Sequence, residues 1–190
     1  MLVTYAAVIW DGAYCSSMTD AAAATAAVLA HPAVVRVRSA LIDLGALGEI
    51  VVLEEHVRTA ALAAAALGIN VGQIANSLIF TAPDADDPEG LQPLLVLTSG
   101  SHRVDVDQVA AVLGVPQLDR ADPDFVRRRT GFSIGGVAPV GHIEPVHTLV
   151  DVELSRHDQV WAAAGHPRTV FPTRYDELLR ITAGQPVEVD

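Results

Sequence analysis

Residues 130–142 read TGFSIGGVAPVGH, and this stretch is the most informative one in the chain. Gly135, Gly136 and Gly141 allow the backbone to come close to a ligand, and neighbouring amides in such a loop can form a nest for an oxygen atom. Pro139 stiffens the segment. A dinucleotide-binding loop is not indicated, because the spacing GxGxxG is missing. Composition alone leaves two interpretations open, a ligand-binding loop and a tight turn with a purely structural role.

The flanking sequence alternates irregularly between helix and strand patterns. Helices are predicted at 19–30, 34–44, 60–67, 105–113, 122–129, 155–164 and 174–182. Thr59, Asp105 and Asp122 are the predicted caps of three of them, and Gly68 and Gly131 are predicted helix ends. Strands are predicted at 49–53, 76–81, 94–98, 149–154, 169–171 and 187–189. No repeating βαβ unit emerges, so the pattern predicts one α/β domain of the mixed (α+β) kind, a mixed sheet surrounded by helices.

Length and composition are typical of one globular domain. The 190 residues suffice for a sizeable core, and we assign residues 19–190 to it and residues 1–18 to a flexible N-terminal extension. Met18 would make a sensible native start. One cysteine excludes an internal disulfide framework and favours a cytoplasmic location. No apolar run reaches the roughly 18 residues of a membrane span.

The charge pattern narrows the possible chemistry. Twelve basic residues face 23 acidic ones, for a net charge of −11, and all twelve are arginine. Without lysine, a Walker-A loop, a Schiff base and a lysine general base are excluded. The acidity argues against a general nucleic-acid binder, although a compact basic patch such as Arg127, Arg128 and Arg129 remains possible.

Five segments, in order, resemble the YbaK/EbsC-like aminoacyl-tRNA deacylase family, which also includes the editing domain inserted in bacterial prolyl-tRNA synthetases. They are RTAALAAAALGI (58–69), QIANSLIF (73–80), LTSGSHRVD (97–105), TGFSIGGVAPVGH (130–142) and WAAAGHPRTVFPTRYDELLRIT (161–182). The resemblance covers roughly residues 34–189. It implies a partly barrel-like mixed sheet, no cofactor, and hydrolysis of wrongly charged tRNA.

The resemblance also implies a site. The backbone of Gly135, Gly136, Val137, Ala138 and Pro139 would hold the aminoacyl end of the tRNA. In this family the ribose 2′-hydroxyl of the terminal adenosine is thought to activate the attacking water.

The family's lysine falls on Asn76, which keeps a hydrogen-bond donor and loses the charge. We therefore expect a freestanding trans-editing hydrolase in which Asn76 holds the ribose or the ester carbonyl, with His142 as an auxiliary polar group. The alternative is a binding module on the same fold that holds an aminoacyl-tRNA end, an amino acid or a synthetase without turnover.

Several other residues are weaker candidates. Gly100, His102 and Arg103 follow a strand and could meet the phosphate or ribose of the acceptor end, or serve only the fold. The run Arg127–Arg129 could grip the acceptor stem, although three consecutive helical positions cannot all face one way. Histidine spacing gives only a weak metal signal at His142 and His147, and Ser99–Ser101 does not supply GxSxG. The expected partners are the acceptor end of aminoacyl-tRNA and a synthetase that presents it, with neither DNA nor a membrane.

Overall fold

A computed structural model of the chain describes residues 12–54, 57, 59–84, 86 and 90–190, and for residues 12–20 it describes the backbone alone. The helices are α1 (Gly12–Leu29), α2 (Pro32–Asp43), α3 (Ala60–Leu67), α4 (Val106–Leu113), α5 (Pro123–Thr130) and α6 (Tyr175–Thr182). The strands are β1 (Val51–Val52), β2 (Ile74–Pro83), β3 (Leu91–Ser99), β4 (Asp119–Arg120), β5 (His147–Asp151), β6 (Val160–Ala163), β7 (Thr169–Thr173) and β8 (Gln185–Val187). Of the predicted extension 1–18, residues 1–11 lie outside the described residues, and 12–18 belong to the backbone of α1.

All eight strands join one mixed sheet in the order β1-β7-β6-β2-β3-β5-β8, with β4 also paired to β2. The pairs β2–β3, β2–β4, β6–β7 and β1–β7 are antiparallel, whereas β2–β6, β3–β5 and β5–β8 are parallel. The predicted class, a single mixed α/β domain with helices around a mixed sheet, is confirmed.

The long hairpin β2–β3 separates two hydrophobic cores. Leu95 and Leu97 point into the larger core, where α2, α6 and the glycine loop (residues 131–142) pack. Leu94 and Val96, one residue out of phase, point into the second core beneath α4. A strand with two buried faces needs this continuous apolar sequence, because successive side chains alternate between faces.

Local capping signals fix several helix ends. Thr59 accepts a hydrogen bond from the Leu62 amide at 3.2 Å, and Gly68 ends α3 in the left-handed conformation (φ +67°). Asp122 caps α5 through the amides of Asp124 and Phe125, both at 2.9 Å. Thr59 and Asp122 satisfy amides that the first helical turn leaves without a partner, whereas the Gly68 amide donates to carbonyls of the last turn of α3.

The predicted helix over 155–164 is wrong. A short 3₁₀ segment, Val152–Arg156, is followed by the strand β6. Val160 and Ala162 alternate into the larger core while β6 pairs with both β2 and β7. Sheet pairing therefore outweighs the helix preference of the alanines.

Two consecutive helical segments, Ala21–Leu29 and Pro32–Asp43, together have the length and composition of a membrane span, and the chain bends by 64° between them. Within the described residues, no single helix is long and apolar enough to cross a membrane.

Candidate active site

A cleft of about 380 Å³ opens over the start of β2. One wall is α3, another is formed by β6 and β7, and the glycine loop and β4 close the remaining side. It is lined by Val57, Thr59, Ala60, Ala63, Ile74, Ala75, Asn76, Ser77, Leu78, Arg120, Ile134, Gly135, Val137, Trp161, Ala162, Ala163, Pro167, Thr169 and Val170. The cleft thus brings together two of the segments singled out in the sequence, the strand that carries Asn76 and the loop that contains Gly135.

Asn76 lies half-buried on β2, opposite Thr98 of β3. Its side-chain amide makes no hydrogen bond within the described part of the chain, so both its donor and its acceptor remain available to a ligand. Two other polar atoms of residues that line the cleft, Ser77 Oγ and Trp161 Nε1, are buried and have no hydrogen-bond partner within the described residues. Sequence reasoning missed Ser77 and Trp161, because nothing local separates them from ordinary strand residues.

The glycine loop approaches the cleft closely. Gly135 has φ +87° and is exposed at the rim, a backbone conformation that favours glycine. Gly136 is buried, and a Cβ atom there would lie 3.0 Å from the Cα and amide nitrogen of His166. Its own amide donates to Ser133 O at 3.0 Å. The next two amides, of Val137 and Ala138, donate to no acceptor within the described residues, and adjacent free amides of this kind can bind a carbonyl or an anionic oxygen.

Arg36 of α2 anchors both ends of this loop. Its Nε donates to Gly141 O at 2.6 Å, and its Nη2 donates to Gly131 O at 2.9 Å. The guanidinium also stacks on the ring of Phe132 at 4.7 Å. No sequence signal pointed to Arg36, since its partners lie about a hundred positions further along the chain.

His142 supports the loop from outside the cleft. Its Nε2 lies 2.7 Å from Ala138 O, and its ring meets Phe132 edge-on at 5.5 Å. Burial lowers the pKa of the imidazole, the hydrogen bond to Ala138 raises it, and the charge of Arg36 lowers it further. With Pro139, it lines a separate surface depression. The structure therefore places His142 behind the loop, where it orients Ala138 and does not face Asn76.

Gly100 and His102 hold the turn after β3. The Gly100 amide donates to Ile74 O at 2.8 Å, and a Cβ atom there would lie 2.4 Å from Val71 O. His102 Nδ1 lies 3.1 Å from a carboxylate oxygen of the buried Asp151. Neither residue lines the cleft, and Arg103 is exposed beyond it.

The three arginines of α5 spread around its last turn. Arg127 and Arg128 are exposed. Arg129 is less exposed; it pairs with Glu144 at 3.1 Å and lies 5.7 Å from the ring centre of Phe125. None of them lines the cleft, so any contact with tRNA would lie outside it.

The chemistry open to the cleft follows from its lining. Among the described residues that form it there is no carboxylate, imidazole or thiol, and Arg120 is the one charged side chain. Nor do the described residues contain a group of three His, Cys, Asp or Glu suited to a metal ion. Amide donors can hold and polarise a carbonyl here, whereas none of these side chains is a good general base.

The fold and cleft define a class: a single mixed α/β domain with a ligand-sized pocket between one strand and a glycine loop. The aminoacyl-tRNA editing domain family matches residues 54–181, about two thirds of the chain. This protein belongs to that family, and its function is related to editing.

Individual relatives agree with this assignment. Over 116 residues the chain is 29% identical to the uncharacterized protein YwhH of Bacillus subtilis, covering 61% of this chain and 69% of that protein. A proline–tRNA ligase of Nitratidesulfovibrio vulgaris is 28% identical over 131 residues, which cover 63% of this chain and 21% of the ligase. A crystal structure of a candidate trans-editing enzyme for prolyl-tRNA synthetase is 39% identical, with a TM-score of 0.75, and the match covers 84% of this chain and 97% of that one.

Proposed function

We propose that this protein hydrolyses the ester bond of mischarged aminoacyl-tRNA, acting in trans on tRNA released by a synthetase. The observation that carries the proposal is the cleft that Asn76 shares with Gly135 and Val137 of the glycine loop, in a chain of the editing family. The described lining of the cleft offers amide donors but no side chain that is a good general acid or base. Such a cleft suits a substrate that supplies its own proton acceptor. The ribose 2′-hydroxyl beside the ester is such a group.

In this reaction, water attacks the ester carbonyl. The neighbouring 2′-hydroxyl orients the water and relays the proton that the water loses to the departing ribose oxygen. The bond between the carbonyl carbon and the ribose oxygen breaks. The products are a free amino acid and a tRNA with its terminal hydroxyl restored. The amides of Val137 and Ala138 stabilise the developing oxyanion, and Asn76 donates to the ester or to the ribose.

The remaining site residues have supporting roles in this proposal. Gly136 lets the loop pack against His166, and Pro139 and His142 hold it from behind. Gly100 and His102 fix the turn that leads away from β3. Arg103, Arg127, Arg128 and Arg129 provide positive charge for the acceptor stem. Charged tRNA is used in the cytoplasm, and we place the reaction there.

A second candidate is a binding module that holds an aminoacyl-tRNA end or a synthetase without turnover. It is favoured by one observation: Asn76 carries no positive charge, and it stands where the family resemblance places a lysine. The two candidates differ in whether the ammonium group is needed for turnover.

Deacylation of radiolabelled alanyl-, seryl- and cysteinyl-tRNA that carry the wrong amino acid separates the two candidates. The variants are Asn76→Ala and Asn76→Lys. We expect the wild type to hydrolyse one substrate selectively, and Asn76→Ala to lose about 10²- to 10³-fold in rate, the usual effect of removing one preorganised donor. An inert wild type with an active Asn76→Lys would establish the binding module. If all three proteins are inert, the proposed hydrolase is contradicted, and the binding module then depends on whether the pocket binds an aminoacyl end.

A further inference from the structure

Arg120 carries the one positive charge in the described lining of the cleft. The proposed reaction does not use this charge. It lies on the two-residue strand β4, directly opposite Phe80 of β2. More than a third of the residue is exposed, and its guanidinium makes no hydrogen bond or ion pair within the described residues. Asp119 is adjacent to Arg120 on the strand, so the two side chains project from opposite faces, and the Asp119 carboxylate accepts from Gln117 Nε2 at 2.9 Å. Within the part of the chain that the structure describes, the Arg120 guanidinium therefore has no partner and lies at the edge of the cleft.

The sheet register places this guanidinium on the same side as Asn76. Residues directly opposite each other on antiparallel strands project from the same face, and so do residues two apart on one strand. Arg120 accordingly shares a face with Phe80, Leu78 and Asn76. Phe80 is four residues from Asn76, roughly 13 Å along the strand. The charge thus lies displaced from Asn76 towards the rim, where Ile134 and Gly135 also contribute to the wall.

This displacement indicates which part of the substrate the arginine meets. If the ester sits between Asn76 and the loop amides, the amino acid points inwards and the 5′ side of the ribose points towards the rim. The first anionic group on that side is the phosphate of the terminal nucleotide. A guanidinium binds phosphate through two parallel hydrogen bonds. A local cation matters especially here, because the net charge of −11 repels a polyanion.

We propose that Arg120 binds the 5′-phosphate of the terminal nucleotide and so sets the register of the aminoacyl end in the cleft. The proposal rests on the proposed function for the identity of the ligand. It does not require turnover, since an inactive binding module would use Arg120 in the same way. In this proposal the positive charge of the site lies on β4, beside the uncharged β2, and it positions the aminoacyl end.

The test uses two stable ligands that differ only in the phosphate. One is 3′-alanylamino-3′-deoxyadenosine, in which an amide replaces the ester, and the other is its 5′-monophosphate. Isothermal titration calorimetry compares wild type, Arg120→Gln, Arg120→Lys and Arg38→Gln. Arg38 is the matched control, an exposed arginine on α2 outside the cleft. Circular dichroism verifies that each variant is folded.

We expect the wild type to bind the monophosphate about tenfold more tightly than the nucleoside, as for one charge-assisted contact at a partly exposed site. Arg120→Gln should bind both ligands alike and keep the wild-type affinity for the nucleoside. Arg120→Lys should keep part of the preference, and Arg38→Gln all of it. The proposal is overturned if Arg120→Gln retains the full preference, if it weakens both ligands equally, or if the wild type binds neither. Failure of deacylation alone would contradict the proposed hydrolase and leave these binding results unaffected.

Discussion

Replacing Arg36 by methionine should loosen the glycine loop and damage the site without touching the cleft. The Arg36 guanidinium donates hydrogen bonds to the carbonyl oxygens of Gly131 and Gly141, at the two ends of the loop. Methionine keeps an apolar stem over Phe132 but removes both hydrogen bonds. Arg38→Met is the control, because Arg38 is exposed on the same helix.

The size of the effect follows from the interactions that methionine cannot make. A hydrogen bond from a charged donor contributes about 1.5 to 3 kcal/mol, and the stacked guanidinium adds about 0.5 to 2 kcal/mol. Water can reach the half-exposed carbonyls of Gly131 and Gly141 after the change. The free energy of unfolding should therefore fall by about 2 to 4 kcal/mol in total. Misplacing the amides of Val137 and Ala138 by about 1 Å should lower the deacylation rate about 10²-fold.

Urea unfolding followed by circular dichroism measures the stability, and single-turnover deacylation at a temperature where the variant stays folded measures the rate. Arg38→Met should match the wild type in both. Equal stability and equal rates for Arg36→Met and Arg38→Met would refute the view that Arg36 holds the loop.

Two further predictions concern the same loop. Gly136→Ala should reduce the rate strongly and lower the free energy of unfolding by about 1 to 3 kcal/mol, because the new methyl group meets the backbone of His166; wild-type rates would contradict the proposed close packing. Burial lowers the pKa of His142 in the folded protein. As the pH falls below the ordinary histidine value of about 6.5, the unfolded chain therefore takes up a proton before the folded one does. The free energy of unfolding that His142 contributes above that pH is then lost. His142→Gln should flatten this part of the stability–pH curve in urea titrations, and an unchanged curve would show that His142 does not couple protonation to folding.

The sequence predicted what depends on short-range signals. Thr59, Asp105 and Asp122 each cap a helix through their own side chains, and the structure contains all three caps. Gly68, Gly114 and Gly131 end those helices in the left-handed conformation. Such contacts reach three or four residues along the chain, so the residue types are enough to predict them.

Residues that act through long-range packing could not be found in this way. Arg36 bonds to a loop about a hundred positions away, and Arg120 enters the cleft only because β4 pairs with β2. The strand β6 shows the same limitation, since alanines that favour a helix locally are recruited by two neighbouring strands. The family resemblance of residues 73–80 and 130–142 predicted that these two segments form one site. The structure adds the elements that wall the cleft and the positive charge of Arg120.

The most direct test of the central claim is multiple-turnover hydrolysis of one tRNA charged either with its correct amino acid or with alanine, serine or cysteine. We predict that catalytic amounts of the wild-type protein release the wrong amino acid faster than the ester decays alone and leave the correct ester intact. Release of every wrong amino acid at the spontaneous rate, at protein concentrations that saturate binding, would contradict the assignment of this cleft to ester hydrolysis.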